Sequence, residues 1–441
     1  MDLKYFLFIL CFGLSSCSSS NNRGVCDDEL LQVKVFPTKE NVKRLYASEI
    51  ITDLEYIPLE TSEKCLINEN YKTEISENYI LVSSKPHLIL FSRQGKYIRN
   101  IGSQGPGPEE YSYPSKTAID EKSGMIYNLN YNELTAYRIS GEFVKKLYLK
   151  DIYKKAGINS SFNKIVHWKE NLFCANVRLY TGIEDNCIVI FSLDGQIMKL
   201  FPNSIKFKRP ESNVTHGRGA DDYADVYVYK GQLKYRYINS DTLFRLNDQL
   251  EFIPDAIFDL CGRNAPENIR VKKDADLSKY TYLMDIKETE NYFSFLCDFG
   301  KINPQEIKTQ GCLYDKKSKK LIIFKVELLG QQPAPEVPSM PGVFINNSSS
   351  GQLVNDYSPW IINDIDGGLD FGIHGSHISI IQSANQFICA RYQPHKLLKD
   401  LNIEHFASKK IKNKEAHERL KKLLENLDEE DNPVIMIATF K

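Results

Sequence analysis

What the chain has little of narrows its reading first. After residue 17 no apolar run approaches ~18 residues, the length a helix needs to cross a bilayer, so that part of the chain carries no spanning helix. Charge of one sign is missing too. Lys+Arg number 56 against Asp+Glu 57, which removes the basic excess a nucleic-acid binder carries, and no nucleic-acid partner is expected. The ten cysteines contain no Cys-x-x-Cys pair, so neither a zinc cluster nor a dithiol redox centre is indicated. Cys174, Cys187, Cys297 and Cys389 sit instead inside apolar alternations, where a thiol acts as a small buried hydrophobe. One or two disulfides stay open in an oxidising compartment. No Gly-x-Ser-x-Gly elbow, Cys–His signature or His-Glu-x-x-His helix occurs, which removes the common nucleophile and zinc-hydrolase templates.

What is present begins at the N-terminus. Lys4 leads into the run Tyr5–Leu14, too short to span a membrane but matched to a signal-peptide core. The run ends in Leu14-Ser15-Ser16-Cys17, which resembles the bacterial lipobox. That resemblance implies cleavage after residue 16 and lipid attachment at Cys17. Acyl chains stabilise membrane binding by about 0.8 kcal/mol per buried CH₂, enough to anchor a protein without a spanning helix. Residues 1–16 are therefore expected to be a signal peptide. Residues 17–40 follow as a lipidated cysteine and flexible tether, starting with Ser18-Ser19-Ser20-Asn21-Asn22. The expected location is the cell envelope, on the outer membrane.

The middle of the chain is rich in Tyr, Phe, Ile and Val, cut by short turns and nearly without helical periodicity, as all-β sequences are. A hairpin recurs along it. Copies run over 87–99, 133–145 and 187–199, with weaker ones at 242–248 and 312–317. Each has a strand ending near an aromatic, a polar turn with Gly, Asp or Lys, and a second strand. The aromatics Phe91, Tyr137, Phe191, Phe244 and Tyr314 recur at about the 50-residue length of a four-stranded propeller blade. Residues 376–381 and 386–390 are strand-like and supply a sixth blade.

Residues 431–438 resemble the first hairpin strand and lack an outer neighbour, which the alternating segment 53–59 can supply. Strands from both termini then close the ring and remove its exposed edges. Two insertions are expected in the last blade: a loop over 328–357, and a helix within 407–429 with Ala416, Leu420, Leu423, Leu424 and Leu427 on one face. A short helix is also expected at Val42-Lys43-Arg44-Leu45.

The stretch Ile101-Gly102-Ser103-Gln104-Gly105-Pro106-Gly107-Pro108-Glu109-Glu110-Tyr111, with Ala118-Ile119-Asp120 and Gly124-Met125-Ile126-Tyr127, resembles the NHL-type propeller repeat. The lipobox, the segment 54–61, that Gly-rich turn and the final Asn432-Pro433-Val434 make the chain similar to the six-bladed β-propeller lipoproteins of Gram-negative bacteria (NHL-like or TolB-like propellers). The likeness covers about residues 40–441, and Glu109 stands where that family more often has Gly. It implies an all-β, six-bladed β-propeller over 41–441, closed by strands from both termini and carrying a C-terminal helical insertion at about 395–429.

The Gly-rich turn 102–108 lacks the Gly-Lys-Ser/Thr ending of a P-loop, and its prolines remove N–H donors, so it reads as an inter-blade connection. The most polar constellation is Trp360, Asp364, Asp366, Asp370 and His374, with Asn363 and His377 beside them. Its alternating carboxylates suit Ca²⁺, although an EF-hand's closing Glu is missing. His374 and His377 would point to opposite faces of a strand, against a shared Zn²⁺. An aromatic beside carboxylates also suits a sugar. No cofactor is expected beyond that Ca²⁺. The chain thus reads as a non-catalytic binding or scaffold module for a protein or glycan ligand. The alternative is a hydrolase or lyase acting on polysaccharide or peptide at the propeller channel.

Overall fold

Apolar residues alternating with polar ones, cut by glycine-bearing turns, build antiparallel hairpins here. Gly95 and Gly195 take φ of +83° and +76° at two of those turns. The Ser92 and Ser192 N–H groups close them, donating to Lys96 O and Gln196 O at 2.8 and 2.9 Å. In the computed structural model, residues 30–179, 183–204, 206, 224–237, 240–266, 276–300, 310–324, 360–372, 378–380 and 387–441 are described. Their strands form seven sheets, the blades of a propeller.

Blade 1 runs Tyr71–Ile75, Tyr79–Ser84, His87–Ser92 and Tyr97–Asn100 from the axis outward, and blade 2 runs Lys116–Asp120, Met125–Leu129, Glu133–Arg138 and Phe143–Tyr148. Blade 3 comprises Phe162–Lys169, Leu172–Val177, Asn186–Ser192 and Ile197–Pro202. Blade 4 comprises Asp225–Tyr229, Gln232–Arg236, Thr242–Leu246 and Phe252–Asp259. Blade 5 comprises Tyr282–Glu288, Tyr292–Asp298, Gln310–Asp315 and Lys320–Phe324. First strands of successive blades lie side by side, as blade 1 against blade 2 and blade 4 against blade 5. The core fills the spaces between blades. Tyr127 of blade 2 meets Phe173 of blade 3 edge-on at 5.1 Å, and Phe173 stacks on Phe191 at 5.7 Å.

The blade count corrects the expected six. Strands Phe371–Gly372 and Trp360–Ile362 form a separate short blade 6, while Ile378–Ile380, Phe387–Tyr392 and Val434–Phe440 belong to blade 7. Blade 6 strands are only two or three residues long, too short to show a repeating alternation. The loop expected at 328–357 lies outside the described residues.

Ring closure follows the expected pattern. Ile51–Pro58 is the outer strand of blade 7, antiparallel to Val434–Phe440 with Ile57 opposite Ile435 and Leu54 opposite Ala438. Before reaching it, the chain lies along three further outer edges. Leu31–Lys34 adds in parallel to blade 4, Val42–Lys43 to blade 5 and Leu45–Tyr46 to blade 6. The helix expected at 42–45 is thus two edge strands, and the helix itself is Ala47–Ile50. The edges of blades 5 and 6 satisfy the backbone of 42–46, so tertiary pairing overrides local preference. The segment read as a tether is already edge strand from Leu31.

The C-terminal helices are Pro394–Asp400, Ile403–Ser408 and Lys414–Glu425. Ala416 and Leu420 of the last are buried, and Leu423, Leu424 and Leu427 pack partly buried beside Tyr56 and Val434. The described cysteines, 65, 174, 187, 261, 297, 312 and 389, are free thiols.

The N-terminal belt is therefore part of the fold's stability. Leu45, fully buried beside Ile361 and Phe371, is expected to cost about 2–5 kcal/mol when changed to Ala. Ile403, 88% exposed, should change stability by under about 0.5 kcal/mol on the same substitution. Urea denaturation of both variants checks the difference.

Candidate functional site

The carboxylate loop of blade 6 is built as a bracket. Asp364 is buried and accepts from the Ser48 N–H at 2.8 Å, the Ser48 hydroxyl at 2.7 Å and Lys412 Nζ at 2.7 Å. It thereby ties the belt helix Ala47–Ile50 to the segment leading into Lys414–Glu425. Burial disfavours its ionisation, but Lys412 and Ser48 outweigh that and hold the carboxyl below the ordinary range. Asp370 accepts from the Asn363 N–H at 2.8 Å and Lys409 Nζ at 2.7 Å. Asp366, fully buried, accepts from Asn363 Nδ2 at 2.7 Å and the Gly368 N–H at 2.8 Å. Burial raises its carboxyl, against those two donors and Tyr56. His417 and His405, from the C-terminal helices, contact the Asp366 and Gly367 carbonyls at 2.6 and 3.0 Å.

Asp364, Asp366 and Asp370 are thus brought close in the chain, and both oxygens of Asp364 and one oxygen each of Asp366 and Asp370 accept from the protein's own donors, while Asp366 Oδ2 is buried without a hydrogen bond among the described residues. No group of three metal-ligating side chains forms among the described residues. Trp360 pairs with Gly372 in blade 6; His374 and His377 lie outside the described residues. The Gly-rich turn is likewise internal. Glu110 accepts from the Gly107 N–H at 2.8 Å, and Tyr137 donates to Glu109 O at 2.7 Å, joining blades 1 and 2 as an inter-blade connection should.

A different set of side chains meets on the propeller axis, all on first or second strands. Lys116 stands at the start of blade 2, Lys164 in the first strand of blade 3, Asp225 and Arg236 in blade 4, and Asp285 and Lys287 in blade 5. Arg236 is almost fully buried; its Nε donates to Asp225 Oδ2 at 2.7 Å and its Nη2 to Leu283 O of blade 5 at 2.8 Å. The other oxygen of Asp225 accepts the Ile286 N–H at 3.0 Å. That N–H is available because blade 5 breaks register between Met284 and Lys287. At this bulge Asp285 takes φ of +52°, a strained conformation of the kind that collects at functional sites. Its carboxylate holds Lys287 Nζ at 2.9 Å.

Lys164 completes the set. Its amine feels Lys287 and Asp285 of blade 5, Lys116 of blade 2 and Asp225 of blade 4. Blades 3 and 5 both flank blade 4, so these charges meet beside its first strand. Burial first, then the Lys287 and Lys116 ammonium groups, bring the Lys164 amine down to about 7 against the pull of Asp285 and Asp225. Burial also works to lower Lys287, but Asp285 and Asp225 outweigh it and leave that amine raised. On the first strand of blade 1, burial pushes the Glu74 carboxyl up to about 7. Sequence reading passed over these residues because a lone Lys or Asp in a strand carries no spacing signal. The positive φ at Asp285 is a backbone property no motif records.

The bracket makes a prediction of its own. Asp364→Ala leaves the half-buried Ser48 donors without their acceptor and is expected to cost about 1–3 kcal/mol at neutral pH. A carboxyl held low in the folded state stabilises above its unfolded pKa and loses that contribution as pH falls through the folded one. The gap between wild type and Asp364→Asn in thermal melts should therefore close on acidification below about pH 4.

Comparison with known proteins agrees with the propeller. A putative exported protein of Bacteroides fragilis superposes with a TM-score of 0.60 at 16% identity, covering 93% of this chain and 99% of that one. A member of the DUF4221 family from Bacteroides vulgatus is 11% identical with a TM-score of 0.38, over 62% of this chain and 84% of its own. Virginiamycin B lyase of Staphylococcus aureus is 10% identical with a TM-score of 0.38, over 88% and 99%. The last two are too distant in structure for their activities to bear on this chain. Comparison with curated proteins gives no match. Residues 31–439 match one family model from end to end, so the chain belongs to the family described as domain of unknown function DUF4934.

Proposed function

We propose that this protein is a lipid-anchored propeller of the bacterial envelope that binds or scaffolds a protein or glycan ligand without turning it over. The observation that carries the reading is the meeting of charged side chains from four blades on the axis, beside the strained Asp285. Such a set is costly to assemble where first strands converge out of bulk water, unless it meets a ligand. We place the ligand there rather than at 360–372, because Asp364 and Asp370 of that loop are held by Ser48, Lys412, Lys409 and the Asn363 N–H, and the third carboxylate, Asp366, is fully buried behind them. The anchor rests on the apolar run 5–14 and Leu14-Ser15-Ser16-Cys17. The likeness to an exported protein also supports an envelope location. On this reading the protein sits on the outer membrane.

Two measurements test it. Cys17→Ala should move the protein from the membrane to the soluble fraction with its melting temperature unchanged; a variant that stays membrane-bound removes the anchor from the reading. A glycan array and an envelope-protein pull-down with the full chain should show capture without product, and capture should fall in Lys287→Met. Product released from any captured glycan or peptide overturns the non-catalytic reading.

A further inference from the structure

Among the described residues the axial set is unbalanced in charge. Four cations, Lys116, Lys164, Arg236 and Lys287, meet two carboxylates, Asp225 and Asp285. Both carboxylates already have close partners. Asp225 holds Arg236 and the Ile286 N–H, and Asp285 holds Lys287. Lys164 makes no hydrogen bond or ion pair among the described residues and is half-buried. An amine taken partly out of water without a direct ion-pair partner is a cost that a ligand's negative charge lowers. Lys72 and Lys116, on the first strands of blades 1 and 2, are exposed and present positive charge to solvent. Anions approaching the axis are therefore drawn inward.

We propose that the axis between Lys164 and Lys287 binds an anionic group of the ligand, a carboxylate or a sulfate or phosphate ester. This deepens the reading of the chain as a binding module by naming the chemistry its site accepts. An anion seated there pairs with Lys164 and supplies the counter-charge that the site lacks. Pairing favours the ammonium form of an amine that is otherwise partly neutral near pH 7, so the site takes up a proton as the anion enters. The other groups facing Lys164 are Lys116, Asp225, Asp285 and Lys287. Their carboxylates are ion-paired, which leaves Lys164 as the group whose protonation the anion shifts.

Isothermal titration of the full chain with sodium sulfate, and separately with sodium glucuronate, tests this. Neither probe changes charge between about pH 6 and about pH 8, where the lysine does. Each titration is run in two buffers of different ionisation enthalpy. The expected result is millimolar or tighter binding of at least one probe with net proton uptake at about pH 7.5. Lys164→Met should weaken binding about tenfold, equivalent to about 1.4 kcal/mol, and abolish the uptake. Lys164→Arg should keep the affinity and lose the uptake, because guanidinium stays charged. Preference for sulfate points to an ester and preference for glucuronate to a carboxylate, and either supports the site. The inference is overturned if neither anion binds, if Lys164→Met binds as wild type does, or if no proton is taken up. Should Lys164→Met fail to fold, the Lys164→Arg and Lys287→Met titrations decide. Ligand capture on the array that neither anion inhibits would sink this inference and leave the binding-module reading standing. Product release alongside anion binding would do the reverse.

Discussion

The pairing of Ile51–Pro58 with Val434–Phe440 is the constraint on which the rest of the molecule depends. It joins segments from opposite ends of the chain, and the entropy of closing so long a loop grows only slowly with length. The return is large. Leu54, Ile57, Val434, Ile435, Met436 and Ile437 are buried at or near zero exposure, and the last open edge of the ring becomes an interior ladder. Closure also fixes blade 1, since a side chain at Gly95 would meet Pro58 O at 2.2 Å. Glycine is needed there both for its positive φ and for this close approach.

The belt follows from where that strand must end up. To arrive at the rim of blade 7, the chain lies along the rims of blades 4, 5 and 6 and pairs with each in parallel. Short parallel pairs of two to four residues are weak alone. Val33, Leu45 and Ala47 make them durable by entering the inter-blade cores with no exposure. Ser48 then fastens the belt to Asp364, which explains why the most polar loop in the sequence is an internal joint. With the proposed anchor at Cys17, the residues up to Leu31 extend at most about 50 Å at roughly 3.5 Å each. The chain enters the propeller at the rim of blade 4 and not at the axis.

A closed ring also explains how charge persists near the centre. First strands converge on the axis, where side chains from blades that never touch otherwise share one space. Arg236 is tolerated because Asp225 and the Leu283 carbonyl meet it with short hydrogen bonds. Asp285 leaves the ladder, and its bulge frees the Ile286 N–H that completes the coordination of Asp225. The two ion pairs therefore support one another, and Lys164 lies beside both.

Local chemistry was legible in the sequence, and relations between distant residues were legible only where they repeated. The hairpins around Phe91, Tyr137, Phe191 and Tyr314 announced blades because alternation, aromatic and turn recur together, and those four aromatics are buried. The closing strand was readable because 53–59 alternates without a neighbour while 431–438 lacks one. Blade 6 escaped because its strands are two or three residues long and its outer strand, Leu45–Tyr46, lies over three hundred residues away in sequence. The short helix expected at 42–45 failed for the same reason, since parallel edges supplied by blades 5 and 6 decided its conformation. Asp364, Asp366 and Asp370 were conspicuous by spacing, yet their partners Ser48, Lys409 and Lys412 sit in other elements and turn them inward. Lys164 had the opposite fate. One lysine in a strand looks like any edge charge, and only a ring that sets blades 3 and 5 on either side of blade 4 gives it Lys287 and Asp285 for company.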